Sequence, residues 1–194
     1  LLSELAAVGI DPAEIDVVIN THLHADHCGW NTREIDGVLV PTFANAEYWV
    51  TRAEWDAAVA PNERTRATYL SENLQPVADS GRLRLLDSET RVTDELTVVP
   101  PPGHSAGHAS VVIASGGETA VYIGDIVQAT VQLERTAWVS AFDILPLVSM
   151  ETKKRLVETA IERGDLLISV HAPFPGLGRM TRTETGLRRW TPVP

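Results

Sequence analysis

The sequence has 194 residues, of which 44% are hydrophobic and 22% are charged. This composition is ordinary for a globular protein, and the length suits one domain with a substantial core over residues 1–194. Asp and Glu number 26 against 16 Lys and Arg, so the formal charge of -10 repels a phosphate backbone, and nucleic acid is not an expected partner. No apolar run approaches the roughly 18 residues of a membrane span, and the first residues lack a signal-peptide pattern, which predicts a soluble, cytoplasmic chain without a membrane partner.

Short strands and helices alternate along the predicted fold. The predicted strands share apolar or β-branched runs between turn residues, and they cover 15–20, 38–40, 47–50, 83–86, 96–99, 110–114, 119–123 and 167–170, with a closing hairpin of 179–183 and 187–192. The predicted helices share apolar residues at helical spacing, and they cover 1–8, a segment capped by Thr51, 63–74 and 150–163. The segment 129–147 is mixed in character and is predicted to be a loop.

Four side chains of types that commonly bind metals follow the first predicted strand within six residues. They are His22, His24, Asp26 and His27. Side chains two apart on an extended segment face the same way, so His22 and His24 can grip one ion, while a turn at Ala25 carries Asp26 and His27 toward a second. A lone histidine is more often a hydrogen-bonded core residue, but four ligand-capable side chains at this spacing reverse that expectation.

Three further metal-binding side chains stand where predicted strands end: His104, Asp125 and His171. His104 follows Gly103, and glycine lets the backbone bend close to an ion. Asp125 can bridge two cations, because each of its two carboxylate oxygens can bind one of them. Taken alone, Asp125 would more often be a turn or helix-capping residue.

Taken in order, the pieces H-x-H-x-D-H, G-H, G-D and a late histidine resemble the signature of the metallo-β-lactamase superfamily, and every matching position is filled. The resemblance implies an α/β (α+β) fold, the αββα sandwich, with two divalent metal ions, Zn²⁺ by preference. The implied ligands are His22, His24 and His104 on one metal, Asp26, His27 and His171 on the other, and Asp125 between them. His108 stands where the family has no ligand, so we expect it to be structural.

Two features refine this resemblance. The C-terminal third, from Gly124 through 171–178 and the final hairpin, resembles the methyl parathion hydrolase type, whose relatives include lactonases and aryl esterases. Only 21 residues precede His22, where the family normally has a block of sheet. We therefore expect part of the N-terminal sheet to be absent from this chain, leaving an edge beside Asn20 that is bare or covered by another chain.

The expected reaction is hydrolysis of an aryl ester, lactone or phosphotriester by a metal-bridging hydroxide, with Asp26 and Asp125 as catalytic carboxylates. Imidazole at His24 argues against the redox-active diiron branch, and Asp125 argues against the antibiotic-hydrolysing branch with a cysteine ligand. The formal net charge of -10 argues against the nuclease branch, because it repels a phosphate backbone. Two alternatives stay open, an acyl-homoserine-type lactonase and a metal-binding homologue without turnover, and a homodimer is left open as well.

Trp138, Phe142 and Gln128 are the candidate substrate-binding residues for a small ester-like molecule. The two aromatic residues lie in the predicted loop after Asp125, and pocket walls are commonly aromatic. Gln128 stands three residues beyond Asp125, where similar quorum-quenching lactonases carry a tyrosine. Glutamine donates more weakly than a tyrosine hydroxyl, so we expect activated aryl esters, stacked on Trp138 and Phe142, to be preferred over acyl-homoserine lactones.

Overall fold

The computed structural model describes residues 1–193, so Pro194, the last residue of the predicted domain, lies outside the described residues. The chain divides into two compact units, Leu1–Asp87 and a second that begins at Ser88. A single domain over residues 1–194 stays a prediction. Within residues 1–193, none of the helices combines the length and apolar character that a bilayer span requires.

The first unit mixes short helices with two small sheets. Its helices are α1 (Leu2–Ala7), α2 (Ala25–Cys28), α3 (Arg52–Val59) and α4 (Gln75–Asp79). Its strands are β1 (Val17–Ile19), β2 (Thr32–Ile35), β3 (Val38–Pro41), β4 (Glu47–Thr51) and β5 (Leu83–Leu86). The hairpin of β2 and β3 is separate from a parallel sheet of order β1-β4-β5.

Strand β1 forms one edge of the parallel sheet, with Ile19 opposite Trp49 of β4. Among the described residues no strand pairs with its other side, which agrees with the expected open edge. Parallel neighbours need a crossover connection, and α3 and α4 supply it between β4 and β5. Tyr48 and Val50 of β4 are buried, so the middle strand belongs to the core of the first unit. The histidine motif follows the neighbouring strand β1.

The helix predicted over 63–74 is wrong, since the segment forms turns and a short 3-10 helix at Ser71–Asn73. The side chain of Asn62 accepts a hydrogen bond from the Thr65 backbone N–H at 3.1 Å, a contact that turns and helix starts share. The carbonyl of Thr68 accepts from the N–H of Ala25 at 2.9 Å. The segment therefore contacts the start of α2 in addition to forming its own turn hydrogen bonds.

The second unit is built on one large sheet. Its strands are β6 (Thr90–Arg91), β7 (Leu96–Val99), β8 (Ser110–Ser115), β9 (Glu118–Tyr122), β10 (Leu166–Ile168), β11 (Leu177–Arg182) and β12 (Arg188–Pro192), with helices α5 (Val131–Glu134) and α6 (Pro146–Arg163). The sheet has seven strands in the order β12-β11-β10-β9-β8-β7-β6. Only the β9–β10 pair is parallel among these described strands, and α6 lies in its crossover.

Helix α6 begins four residues earlier than its apolar pattern predicts. Pro146 opens the helix, because proline fits a first turn whose N–H groups have no partner within the helix. Gly164 ends it in the left-handed conformation, at φ 72°. Val157 of the helix and Leu167 of β10 are fully buried in one apolar cluster, so α6 packs against the β9–β10 region.

Candidate metal centre

The first unit brings its four predicted ligands together directly after β1. The rings of His22 and His24 have centroids 4.7 Å apart, and the rings of His22 and His27 have centroids 4.2 Å apart. His22 and His24 are 0% and 6% exposed. Asp26 and His27 lie in α2, with Asp26 Oδ2 at 3.2 Å from His27 Nε2 and the Asp26 side chain 67% exposed. The predicted turn after His24 is therefore the helix α2.

Glu54 holds the peptide between the first two histidines. Its Oε1 accepts a hydrogen bond from the backbone N–H of Leu23 at 3.0 Å and another from the hydroxyl of Tyr69 at 3.0 Å. Glu54 is 0% exposed. Thr51 accepts from the Glu54 N–H at 3.2 Å, so the predicted cap of α3 is confirmed. A glutamate three residues after a threonine cap resembles an ordinary capping box, which hid the role of its carboxylate from sequence reasoning.

Cys28 is a buried neighbour of the motif and not an activated thiol. Its Sγ donates to the carbonyl of Leu23 at 3.2 Å, and the residue is 0% exposed. Burial raises the pKa of the Cys28 thiol to about 12, so the thiol keeps its proton at neutral pH. Both observations make Cys28 a buried packing residue beside the histidine motif.

The topology of the second unit gathers His104, Asp125 and His171 at one edge of its sheet. Strands β9 and β10 are parallel, with Tyr122 opposite Ile168, so their carboxyl ends meet at the same edge. Strand β8 runs antiparallel to both β7 and β9, so β7 also ends there. The segments that follow β7, β9 and β10 carry His104, Asp125 and His171 respectively.

Asp125 lies between the two histidines of the second unit. Both of its carboxylate oxygens are 3.1 Å from His171 Nε2, and Oδ2 is 3.6 Å from His104 Nε2. The side chains of His104 and Asp125 are 1% and 6% exposed, while that of His171 is 32% exposed. A buried carboxylate that faces two imidazole nitrogens is a donor set that a divalent cation can use.

The candidate substrate-binding residues lie in different surroundings. Gln128 Nε2 donates to the backbone oxygen of Asp125 at 3.0 Å and lies 3.4 Å from its Oδ2. Trp138 and Phe142 are 58% and 65% exposed in the segment between α5 and α6. Gln128 therefore braces Asp125, and the part of Gln128, Trp138 and Phe142 in substrate binding stays a prediction.

Asp143 is a residue that sequence reasoning missed. Its Oδ1 lies 3.1 Å from His104 Nδ1, on the opposite side of the ring from Asp125. It is 39 residues from His104 in the sequence and belongs to no recognisable motif. Only the acidic character of Asp143 in the predicted loop could have signalled it.

The donors of each unit fit divalent metals on chemical grounds. The first unit supplies three imidazoles and a carboxylate, and the second supplies two imidazoles and a carboxylate. Neutral imidazole and carboxylate are the usual nitrogen and oxygen ligands of zinc. No cysteine stands among the predicted ligands, which separates this set from thiolate structural sites.

A family model of the Metallo-beta-lactamase superfamily matches residues 1–170, and the chain belongs to this superfamily. The predicted fold class is thereby confirmed. N-acyl homoserine lactonase AttM of Azorhizobium caulinodans is 30% identical over 120 residues, covering 58% of this chain and 41% of that protein. N-acyl homoserine lactonase AiiA of Bacillus thuringiensis subsp. kurstaki is 25% identical over 172 residues, covering 88% of this chain and 61% of that protein.

The matched regions therefore span less than two thirds of the length of these curated relatives. Among solved structures, the crystal structure of hydrolase AbOPH in the beta lactamase superfamily is similar, with a TM-score of 0.84 at 28% identity. That match covers 100% of this chain and 69% of the other. The structural likeness thus extends over both units.

Proposed function

We propose that this chain hydrolyses an ester-like bond of a small molecule with the help of two divalent metal ions, Zn²⁺ by preference. The observation that carries the proposal is the Asp125 carboxylate, which faces Nε2 of both His171 and His104. Membership of the superfamily and the lactonase names of the relatives support it.

The ligands that we assign are those of the superfamily signature. They are His22, His24 and His104 for one ion, Asp26, His27 and His171 for the other, and Asp125 for both. Within each unit the short distances among these side chains support the assignment. When bound, two such ions would supply Lewis-acid charge and lower the pKa of a water molecule toward about 7.

The chain's own groups orient the reactants and move the proton. Asp26 has an exposed carboxylate beside His27, so it can accept a proton from the attacking water and turn that water toward the carbonyl carbon or phosphorus. Asp125 is held in place by Gln128. The buried, protonated Cys28 thiol has no part as a nucleophile.

The proposed substrate class rests on Gln128, the residue three positions after Asp125. Gln128 directs its amide N–H groups at Asp125, and an amide is in any case too weak an acid to protonate an alkoxide. Aryl esters, aryl lactones and phosphotriesters have leaving groups that need little protonation. We therefore infer a preference for such activated substrates, with Trp138 and Phe142 stacking the aromatic group.

Acyl-homoserine lactones are the second candidate substrates. They are favoured by one specific observation, which is that curated relatives covering 58% and 88% of this chain are named N-acyl homoserine lactonases. The glutamine at position 128, where similar lactonases carry a tyrosine, weighs against them. The two candidates share the same ligands and differ only in how the leaving oxygen is stabilised.

A comparison of kcat/KM for an aryl ester, dihydrocoumarin and a long-chain homoserine lactone, on one zinc-loaded preparation, separates the candidates. We expect the aryl ester to be fastest, with zinc-treated Asp125→Ala protein as the background control. A kcat/KM for the homoserine lactone about tenfold above that for the aryl ester, or about 1.4 kcal/mol of transition-state preference, would instead support the lactonase assignment. Zinc uptake with no turnover of any substrate would instead favour a metal-binding homologue.

A further inference from the structure

His104 contacts a second carboxylate through the ring nitrogen that faces away from Asp125. Its Nδ1 lies 3.1 Å from Asp143 Oδ1, and both side chains are 1% exposed. Its Nε2 faces Asp125 Oδ2 at 3.6 Å. One nitrogen of the ring is thus directed at the proposed metal side, and the other at a buried acid.

Asp143 is fixed by contacts on both sides. Its Oδ2 accepts a hydrogen bond from the hydroxyl of Ser149 at 2.7 Å, and Ser149 lies in the first turns of α6 with 0% exposure. The next residue, Ile144, donates its backbone N–H to the carbonyl of His104 at 2.9 Å. Leu145 donates in the same way to Gly103 at 3.0 Å. The segment that carries Asp143 is therefore bonded directly to the turn that carries His104.

Gly103 makes this close packing possible. Its φ is 145°, and a Cβ at this position would lie 2.4 Å from the Cα of Ser149. Any larger residue would separate Ser149 from the turn, and with it the hydroxyl that holds Asp143. The glycine before His104 is thus required by its contact with α6.

Asp143 and Gln128 both approach His104 Nδ1, and of these two only Asp143 can accept its N–H. Gln128 Nε2 also lies 3.1 Å away, but an amide NH2 group only donates, so it cannot accept a hydrogen bond from Nδ1–H. The Asp143 carboxylate is an acceptor, and hydrogen bonds to carboxylates are the stronger ones. Nδ1 therefore carries the proton and donates it to Asp143, which leaves the lone pair on Nε2.

We propose that Asp143 is a positioning residue for the metal ligand His104, a role that rests on the proposed function only in taking His104 as a ligand. By accepting the Nδ1–H, Asp143 selects the tautomer that presents Nε2 to a metal and fixes the plane of the ring. Ser149 acts through Asp143 by holding its second oxygen. Neither residue touches the substrate.

Asp143→Asn tests this role with little change of size. The asparagine can still accept from His104 Nδ1–H through its oxygen and donate to Ser149 Oγ through its amide nitrogen, but it removes the negative charge that strengthens the contact to the ring. We expect zinc affinity, measured by competition with a chelator, to fall roughly 10–100-fold. Ser149→Ala, which leaves Asp143 in place, should give a smaller loss in the same direction and serves if Asp143→Asn does not fold.

Asp165→Asn is the matched control, because Asp165 is another aspartate of the second unit with only 5% exposure. It should leave zinc affinity within about twofold of the wild type, since it removes a buried charge without touching His104. A second readout is the His104 Nδ1–H proton in the NMR spectrum of the zinc-loaded protein. It should be present and slow to exchange in the wild type, and shifted or lost in Asp143→Asn.

The outcomes separate this role from the proposed function. Weakened zinc binding in Asp143→Asn together with a changed Nδ1–H signal supports the role of Asp143, even if no ester is hydrolysed. Unchanged zinc affinity and an intact Nδ1–H signal in folded Asp143→Asn, or in Ser149→Ala where that variant replaces it, would overturn the role, even if the wild type is an active hydrolase.

Discussion

His108 Nε2 accepts a hydrogen bond from the backbone N–H of Asp125 at 3.0 Å. Because Nε2 is the acceptor, the neutral ring carries its proton on Nδ1, and the buried His108 orients the Asp125 turn without facing a metal. The sequence prediction that His108 is structural agrees with this contact.

His108→Ala should therefore lower stability more than it lowers metal content. Removal of a buried acceptor costs about 1–3 kcal/mol of unfolding free energy. His104→Ala should instead empty at least one metal position. Zinc analysis and urea unfolding of both variants check this, and a His108→Ala protein without metal beside a fully loaded His104→Ala protein would contradict it.

Asp125→Ala and His24→Ala should each abolish ester hydrolysis and lower bound zinc. In the proposed site Asp125 bridges the two ions and His24 binds one of them, so we expect the loss to reach the uncatalysed rate. Zinc content and aryl ester turnover are measured on the same samples. Asp165→Ala, a buried aspartate outside the site, is the control and should keep both properties.

Glu54→Ala should destabilise the first unit and weaken metal binding together. The change leaves the Leu23 N–H and the Tyr69 hydroxyl without their buried acceptor, at a cost of about 1–3 kcal/mol for each. Leu23 lies between two proposed ligands, so a looser peptide also loosens His22 and His24. Glu54→Gln keeps one oxygen acceptor and should retain most of the stability in urea unfolding; equal losses in the two variants would show that the contacts to Leu23 and Tyr69 are unimportant.

The difference between Glu54 and the histidines shows what sequence can predict here. His22, His24, Asp26 and His27 lie within one short segment, so strand spacing and ligand chemistry bring them together locally. Glu54 contacts Leu23 from 31 residues away, and Asp143 contacts His104 from 39 residues away. Those contacts depend on tertiary packing, which no local period encodes.

Secondary structure likewise divides into elements that local sequence predicts and elements that tertiary contacts decide. Ten of the twelve described strands were predicted from apolar runs and turn residues, while the short strands β2 and β6 were missed. Gly116-Gly117 forms the turn between β8 and β9, with both glycines at positive φ. The segment 63–74 has apolar residues in a helical pattern but does not form the predicted helix. The carbonyl of Thr68 accepts a hydrogen bond from the Ala25 N–H, and the Asn62 side chain accepts one from the Thr65 N–H. Tertiary contacts overrode the weak local propensity.

The ion pairs of Glu158 should make the stability of the second unit depend on pH. Hydrogen bonds from the Arg188 guanidinium, and from Arg182, hold the pKa of Glu158 below its ordinary value of 4.5. A carboxylate with a lowered folded pKa contributes its full stability above the unfolded pKa and loses it as the pH falls through the folded pKa. The contribution is about 1 kcal/mol or less, since the pairs are partly exposed.

Glu158→Gln is the variant that isolates this effect. The difference in unfolding free energy between wild type and Glu158→Gln should be constant near pH 7 and should shrink as the pH is lowered below about 4.5. Urea unfolding at a series of pH values measures it. A difference that grows toward acid would mean that the arginines do not stabilise the ionised form.

Zinc titration of chelator-treated protein, with aryl ester hydrolysis followed at each step, tests the central claim most directly. We expect hydrolysis to be absent without metal, to rise with added zinc and to level off at two ions per chain, and to be lost in Asp125→Ala. Hydrolysis that persists in chelator, or that is unchanged in Asp125→Ala at saturating zinc, would contradict the assignment of a two-metal hydrolase.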